Sequence, residues 1–82
     1  MDKYLVYIWV PFIEQEFEVY IPKNIKISLA KKLIASAIIE LSNNNYIITN
    51  ELKLLNSEKK VYEDNEYVVN SDIHNGSKLV LI

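Results

Sequence analysis

The sequence predicts an α+β domain in which one helix packs on one face of a mixed sheet, in the order β-β-α-β-β-β. Three observations predict this fold class. Two segments of strand composition open the chain, one amphipathic helical segment follows them, and the only glycine lies in an Asn-Gly turn just before a short apolar segment. One helix can cover only one face of the sheet, so the other face is expected to stay open. At 82 residues the chain is expected to be a single domain, residues 1–82.

The first two segments are predicted to form a hairpin. Residues 4–10 are β-branched and aromatic, a composition typical of strands. Residues 16–21 alternate with a period of two, which places Phe17, Val19 and Ile21 together on one face. A proline follows each segment and ends it.

The third segment is predicted to be the helix, with Ser28 as its N-cap and residues 29–41 as its body. Apolar residues recur at three- and four-residue spacing and predict one buried stripe. The stripe consists of Ala30, Leu33, Ile34, Ala37, Ile38 and Leu41. Asparagines 43–45 end the helix, because asparagine tolerates turn geometry, and residues 46–50 form a connector.

The second half of the chain is predicted to complete the sheet. Residues 52–55 indicate a third strand and residues 61–62 a very short fourth strand. Residues 68–73 indicate a loop or a single helical turn that apolar side chains anchor. The last strand, residues 79–82, is expected to lie beside the first strand, where its side chains are best buried.

The end of the sequence resembles that of ubiquitin. Val68-Val69-Asn70-Ser71-Asp72-Ile73 is similar to the loop before the last strand of ubiquitin, and Asn75-Gly76 then leads to the alternating Leu79 and Leu81. The resemblance implies a ubiquitin-like β-grasp over the whole chain. The scarcity of glycine in the other turns departs from that pattern.

Within this superfamily the chain resembles the small YukD/EsaB-like proteins of firmicute type VII secretion loci. The resemblance rests on Lys31-Lys32-Leu33-Ile34 in the helix, on the turn at residues 72–76 and on the apolar final strand. It implies a cytoplasmic accessory or regulatory protein that binds a cytoplasmic part of the membrane-bound secretion machinery. Abundant lysine and asparagine without arginine is consistent with a firmicute source.

The sequence ends at Ile82 without the Gly-Gly that conjugated modifiers carry, so we expect a non-conjugated protein. A ubiquitin-like sulfur carrier or modifier is the alternative, and it would require that Gly-Gly. A further alternative is a ubiquitin-like domain that acts through self-association as a homodimer.

Composition argues against several function classes. The net charge is −2 and all nine basic residues are lysines, spread along the chain, so a nucleic-acid partner is not expected. The longest apolar stretch is about half of the roughly 20 residues that span a bilayer, so direct membrane insertion is not expected. Without cysteine there are neither disulfides nor thiolate metal sites, which fits a reducing compartment.

The sequence predicts neither an enzyme nor a cofactor or metal site. His74 is the only histidine, and Ser71 and Asp72 precede it closely. A catalytic Ser-His-Asp set needs a nucleophile held by a base, which a third group orients. We interpret these residues instead as a loop in which Ser71 and Asp72 bond to nearby backbone amides.

The remaining candidate is the uncovered face of the sheet, which we predict to be a protein-binding surface. Alternation directs the side chains that do not face the helix to this side. Tryptophan and tyrosine are enriched at binding hot spots. The predicted surface consists of Leu5, Tyr7, Trp9, Tyr20, Leu55, Val80 and Ile82.

Overall fold

The computed structural model describes residues 2–46 and 51–82, and it confirms one helix on one face of a mixed sheet. The elements are β1 (Lys3–Val10), β2 (Gln15–Pro22), α1 (Ile27–Leu41), β3 (Leu54–Leu55) and β4 (Lys78–Leu81). The four strands lie in the order β2-β1-β4-β3. β4 runs parallel to β1, and the other two pairs are antiparallel.

The hairpin of β1 and β2 directs its side chains as the alternation predicts. Val6 faces Val19 and Ile8 faces Phe17, so the inward residues of both strands share one side of the sheet. A 3-10 turn, Pro11–Ile13, joins the strands. Glu14 closes the turn in the left-handed region, at φ 51°, where its N–H donates to the carbonyl of Pro11 at 3.2 Å. The chain therefore makes this turn without a glycine.

The last strand lies beside the first, as predicted. Ile8 pairs with Leu79 and Trp9 with Val80. The Asn75-Gly76 turn fixes this register, because the N–H of Gly76 donates to the carbonyl of Leu5 at 2.7 Å. Gly76 has φ 91°, a conformation that favours glycine.

The helix begins before the predicted N-cap. Lys26 occupies that position without a side-chain hydrogen bond, and Ser28 lies inside the first turn. The N–H groups of Ile27 and Ser28 donate instead to the carbonyls of Glu66 and Asp64, at 2.8 and 3.2 Å. The prediction of Ser28 as N-cap was wrong because carbonyl groups distant in sequence satisfy the first N–H groups of the helix.

The buried stripe of α1 is also rotated from the prediction. Ile34 and Ile38 are buried as expected, but Leu33 is 41% exposed and Leu41 is exposed too, whereas Ala35 is buried. A helix turns by about 100° per residue, so Leu33 and Ala35 lie on opposite flanks of Ile34. The flank that carries Lys31 is held by the segment around Leu52, since the Lys31 Nζ donates to the Leu52 carbonyl at 2.9 Å. The flank that carries Leu33 lacks such a cover among the described residues.

The third and fourth predicted strands are shorter than expected. β3 has two residues, and Lys53 just before it exchanges two backbone hydrogen bonds with Ile82, at 2.8 and 2.9 Å. The predicted strand at residues 61–62 is reduced to one bridge between Leu55 and Val61. Residues 68–70 form the predicted single helical turn. Residues 47–50 of the predicted connector lie outside the described residues.

No helix in the part of the chain that the structure describes is both long enough and apolar enough to cross a bilayer.

Candidate protein-binding surface

The side of the sheet away from α1, which we call the open face, follows from strict alternation along β1. Val6, Ile8 and Val10 are fully buried toward the helix. The intervening Leu5, Tyr7 and Trp9 therefore point to the open face. Across β2, Leu5 pairs with Tyr20, which places that tyrosine on the same side.

A row of apolar residues crosses one end of the open face. Trp9 of β1 pairs with Val80 of β4, and Val80 pairs with Leu55 of β3. Leu55 in turn forms its bridge with Val61. Trp9 is 39% exposed, so its indole is available on this side.

Ile82 extends this row toward the end of the sheet. It lies two residues beyond Val80, on the same face, and its side chain is exposed. Both of its backbone groups bond to Lys53, which holds its position beside β3. We call Trp9, Leu55, Val61, Val80 and Ile82 the apolar corner.

A polar row divides the open face. Tyr7 pairs with Glu18 on one side and with Lys78 on the other. All seven predicted residues lie on one face, but Leu5 and Tyr20 are separated from the apolar corner by this row. The predicted surface therefore consists of two apolar areas that meet at Tyr7, with Glu18 and Lys78 on either side of that tyrosine.

Many solved structures share this architecture, although the sequence matches no protein-family model and no curated protein. The ubiquitin-like domain of EccD1, a type VII secretion protein of Mycobacterium tuberculosis, has a TM-score of 0.79 at 10% identity, over 100% of this chain and 99% of that chain. The EccD5 ubiquitin-like domain from Mycobacterium xenopi has a TM-score of 0.75 at 15% identity, over 100% and 94%. A chain of the MycP5-free ESX-5 inner membrane complex has a TM-score of 0.74 at 15% identity, over 100% of this chain and 21% of that chain.

The chain has the ubiquitin-like β-grasp fold. Identities between 10 and 15% establish the fold alone. Structures similar to this chain thus include ubiquitin-like domains of type VII secretion proteins. This finding agrees with the resemblance of the sequence to ubiquitin.

Two exposed residues of this ubiquitin-like domain were missed as surface candidates. Val61 belongs to the apolar corner because its neighbour Tyr62 is buried and alternation turns Val61 outward. The predicted strand at residues 61–62 carried that signal. Phe12 is 81% exposed in the turn directly after β1, at the same end of the sheet as Trp9 and Ile82. A phenylalanine in a turn between strands is an unusual choice, and it was the available sequence signal.

The residues that suggested a Ser-His-Asp set bond to other partners. The Ser71 hydroxyl donates to the Val68 carbonyl at 2.6 Å and accepts from the Ile73 N–H at 3.1 Å, as predicted for a local turn. The His74 Nδ1 lies 2.9 Å from the carbonyl oxygen of Asn75. No pair among Ser71, Asp72 and His74 is joined by a side-chain hydrogen bond in the described residues.

Asp72 differs from its prediction, because it accepts from side chains as well as lying in a turn. Its Oδ1 accepts from the Tyr62 hydroxyl and its Oδ2 from the Asn56 Nδ2 at 3.3 Å. These three residues line a shallow cleft of about 300 Å³ beside β4. The hydrogen bond from Tyr62 lowers the pKa of Asp72, whereas burial and that same bond raise the pKa of Tyr62. This arrangement stabilises an ionised acceptor and a neutral donor, which is what a structural hydrogen bond requires.

Proposed function

We propose that this chain is a non-catalytic, ubiquitin-like protein-binding module, an accessory or regulatory component of a type VII secretion system. The observation that carries the binding role is the row formed by Trp9, Val80 and Leu55, which leaves an indole exposed on the open face. Tryptophan is enriched at binding hot spots, and contiguous exposed apolar side chains usually mark interaction sites on soluble proteins. Binding would proceed without covalent chemistry.

The likeness to EccD ubiquitin-like domains and to a chain of an ESX-5 inner membrane complex supports the secretion part of the proposal. The partner we propose is a cytoplasmic part of the membrane-bound secretion machinery, and the chain itself would then reside in the cytoplasm. The YukD/EsaB-like helix segment and terminal turn favour a firmicute member of this group. We also propose that it acts without conjugation, and the full open reading frame tests this, because a Gly-Gly extension would favour a carrier or modifier.

The experiment measures binding of the purified chain to the cytoplasmic segments of the secretion proteins encoded in the same locus. Trp9→Ala is expected to weaken binding by about 2 kcal/mol or more, roughly 30-fold. Tyr67→Ala is the matched control, since Tyr67 is an equally exposed aromatic that lies outside the sheet. Equal affinities of Trp9→Ala and the parent for every segment would refute the role of the apolar corner.

Self-association through the same corner is a distinct outcome of this experiment. Sedimentation of the chain alone tests it, because a homodimer that Trp9→Ala dissociates would make the partner a second copy. In that case the surface is retained, but the secretion partner must bind elsewhere.

A further inference from the structure

The outer edge of β2 offers an unused set of backbone hydrogen-bonding groups. β2 is the first strand of the sheet order and pairs only with β1 in the described residues. The backbone groups of Leu5 and Tyr7 point toward β4. The N–H of Tyr7 donates to the carbonyl of Ser77 at 2.9 Å, and the carbonyl of Leu5 accepts from the N–H of Gly76. Because backbone groups alternate in direction along a strand, Val6 and Ile8 bond to β2.

This parity fixes which groups of β2 point outward. The residues opposite Val6 and Ile8 are Val19 and Phe17, so their N–H and C=O groups face β1. The N–H and C=O groups of Glu16, Glu18 and Tyr20 therefore point away from the sheet. They form a free edge of the length that a short added strand would need.

The open-face side of this edge is acidic, and neither of its two glutamates forms an ion pair with a described residue. Glu16 and Glu18 lie opposite Trp9 and Tyr7, which carry no charge to offset them. The only ion pair within 4.0 Å among residues 2–46 and 51–82 joins Lys31 to Asp64, away from β2. A segment that pairs with β2 would meet these carboxylates directly.

The helix side of the same edge is apolar. On one flank of α1, the Lys31 Nζ donates to the carbonyl of Leu52, which lies just before β3. The opposite flank of α1 carries the exposed Leu29 and Leu33, and it therefore overlooks β2. A strand added to β2 would direct every second side chain toward this flank.

We propose that the β2 edge accepts an extended segment of a partner protein whose sequence alternates basic and apolar residues. The basic side chains would lie beside Glu16 and Glu18, and the apolar side chains would pack against the flank that carries Leu33. The backbone hydrogen bonds supply affinity and the alternation supplies specificity, as in other cases of strand addition. The proposal goes beyond the proposed function, because it uses a different edge of the sheet from the apolar corner.

A second copy of this chain is a poor occupant of the edge. Antiparallel pairing of β2 with another β2 would bring the glutamates of one copy opposite those of the other. Like charges directly opposite one another destabilise a strand pair. The same carboxylates that select a basic segment therefore oppose pairing of two copies.

The test titrates the isotope-labelled chain with the synthetic peptide acetyl-KVKVKVK-amide and follows backbone amides by NMR. The largest shifts are expected at Glu16, Glu18 and Tyr20, and these amides should become protected from hydrogen exchange. The double variant Glu16→Lys/Glu18→Lys should weaken the peptide by about tenfold or more. The same variant should instead bind acetyl-EVEVEVE-amide, whereas the parent should not.

Two controls separate strand addition from simple charge attraction. Glu58→Lys/Glu63→Lys changes the net charge by the same amount in loops away from β2, and it should bind the basic peptide like the parent. Two N-methylated peptides are compared, one methylated at the odd-numbered residues and the other at the even-numbered residues. Only one of these two sets of N–H groups faces β2, so one peptide should lose binding and the other should keep it.

Three results would overturn the proposal. Peptide affinity that is equal for both double variants would show that the edge glutamates select nothing. Binding that survives both N-methylation phases would exclude backbone pairing. Shifts centred on Trp9 and Val80 would place the peptide on the apolar corner, which leaves the proposed function intact while refuting this one.

Discussion

The hydroxyl of Tyr62 donates a hydrogen bond to the carboxylate of Asp72, which joins the segment beside β3 to the loop that precedes β4. Tyr62 follows the bridge that covers the β3 edge, and Asp72 precedes the turn that starts β4. Asn56 donates to the other carboxylate oxygen of Asp72 at 3.3 Å. The pair therefore fixes the position of Val61, an apolar-corner residue, relative to β4.

The Tyr62–Asp72 bond predicts a pH-dependent stability. The bond lowers the pKa of Asp72 in the folded state, so its stabilising effect is fully present above the ordinary aspartate value of about 3.9. It is lost as the pH falls through the lowered folded-state pKa, because the unfolded chain then binds a proton more readily. Tyr62→Phe should cost about 1 kcal/mol at pH 7 and progressively less below about pH 4, measured by urea unfolding.

Tyr67→Phe is the control for the loss of a hydroxyl group. Tyr67 is exposed, and its hydroxyl forms no hydrogen bond within the described residues. Its replacement should change the unfolding free energy by less than about 0.5 kcal/mol at every pH. The difference in unfolding free energy between Tyr62→Phe and the parent could instead be as large at pH 2.5 as at pH 7. That result would show that the ionised Asp72 carboxylate is not the acceptor through which the Tyr62 hydroxyl stabilises the domain.

A second prediction concerns the phase of α1. Ile38 is fully buried, so Ile38→Ala should destabilise the domain by about 2–5 kcal/mol. Leu33→Ala removes a similar side chain from the uncovered flank, and it should cost less than about 1 kcal/mol. Lys32→Ala, on the solvent side, should cost less than about 0.5 kcal/mol. Chemical unfolding measures all three, and equal losses for Ile38→Ala and Leu33→Ala would place the buried side of the helix elsewhere.

The helix also illustrates what a sequence can and cannot predict. The spacing of Ile34 and Ile38 correctly predicted a helix with one buried side, because that pattern is local. The start of the helix depends on the carbonyls of Asp64 and Glu66, which lie far away in sequence. No local pattern near Ser28 encodes that contact, so a local capping rule chose the wrong residue.

The open face was predictable to a similar extent. Alternation in β1 and β2 correctly placed Trp9 and Tyr20 on one side, since the period of a strand is fixed. The pairing of Tyr7 with Lys78 was not foreseen, because it depends on the register between β1 and β4. That register is set by the hydrogen bond from Gly76 to Leu5, a contact between opposite ends of the chain.

A third prediction tests the Gly76 turn. Gly76 has φ 91°, and a Cβ atom built on it would meet no atom within 4 Å. Substitution therefore costs backbone strain alone, and Gly76→Ala should destabilise by about 1–2 kcal/mol. A chemically synthesised chain with D-alanine at this position should be stabilised by about 0.4–1 kcal/mol, because the D-residue fits the conformation and restricts the unfolded chain. Thermal unfolding distinguishes the opposite signs, and destabilisation by both residues would imply a steric clash instead.

The last prediction concerns Trp9 in the isolated domain. Trp9 is partly exposed on the open face, whereas its neighbour Ile8 is fully buried toward the helix. Trp9→Ala should therefore leave the domain folded, with a loss below about 2 kcal/mol, whereas Ile8→Ala should lose about 2–5 kcal/mol. Circular dichroism during urea unfolding measures both, because Trp9 is the only tryptophan and fluorescence would be lost with it. In the parent, that single indole gives a direct signal, and its emission should shift to the blue when a partner covers the apolar corner. If Trp9→Ala is unfolded at neutral pH, Trp9 belongs to the core and the register of β1 is contradicted. If a tight complex forms without a blue shift, the partner contacts the domain outside the apolar corner.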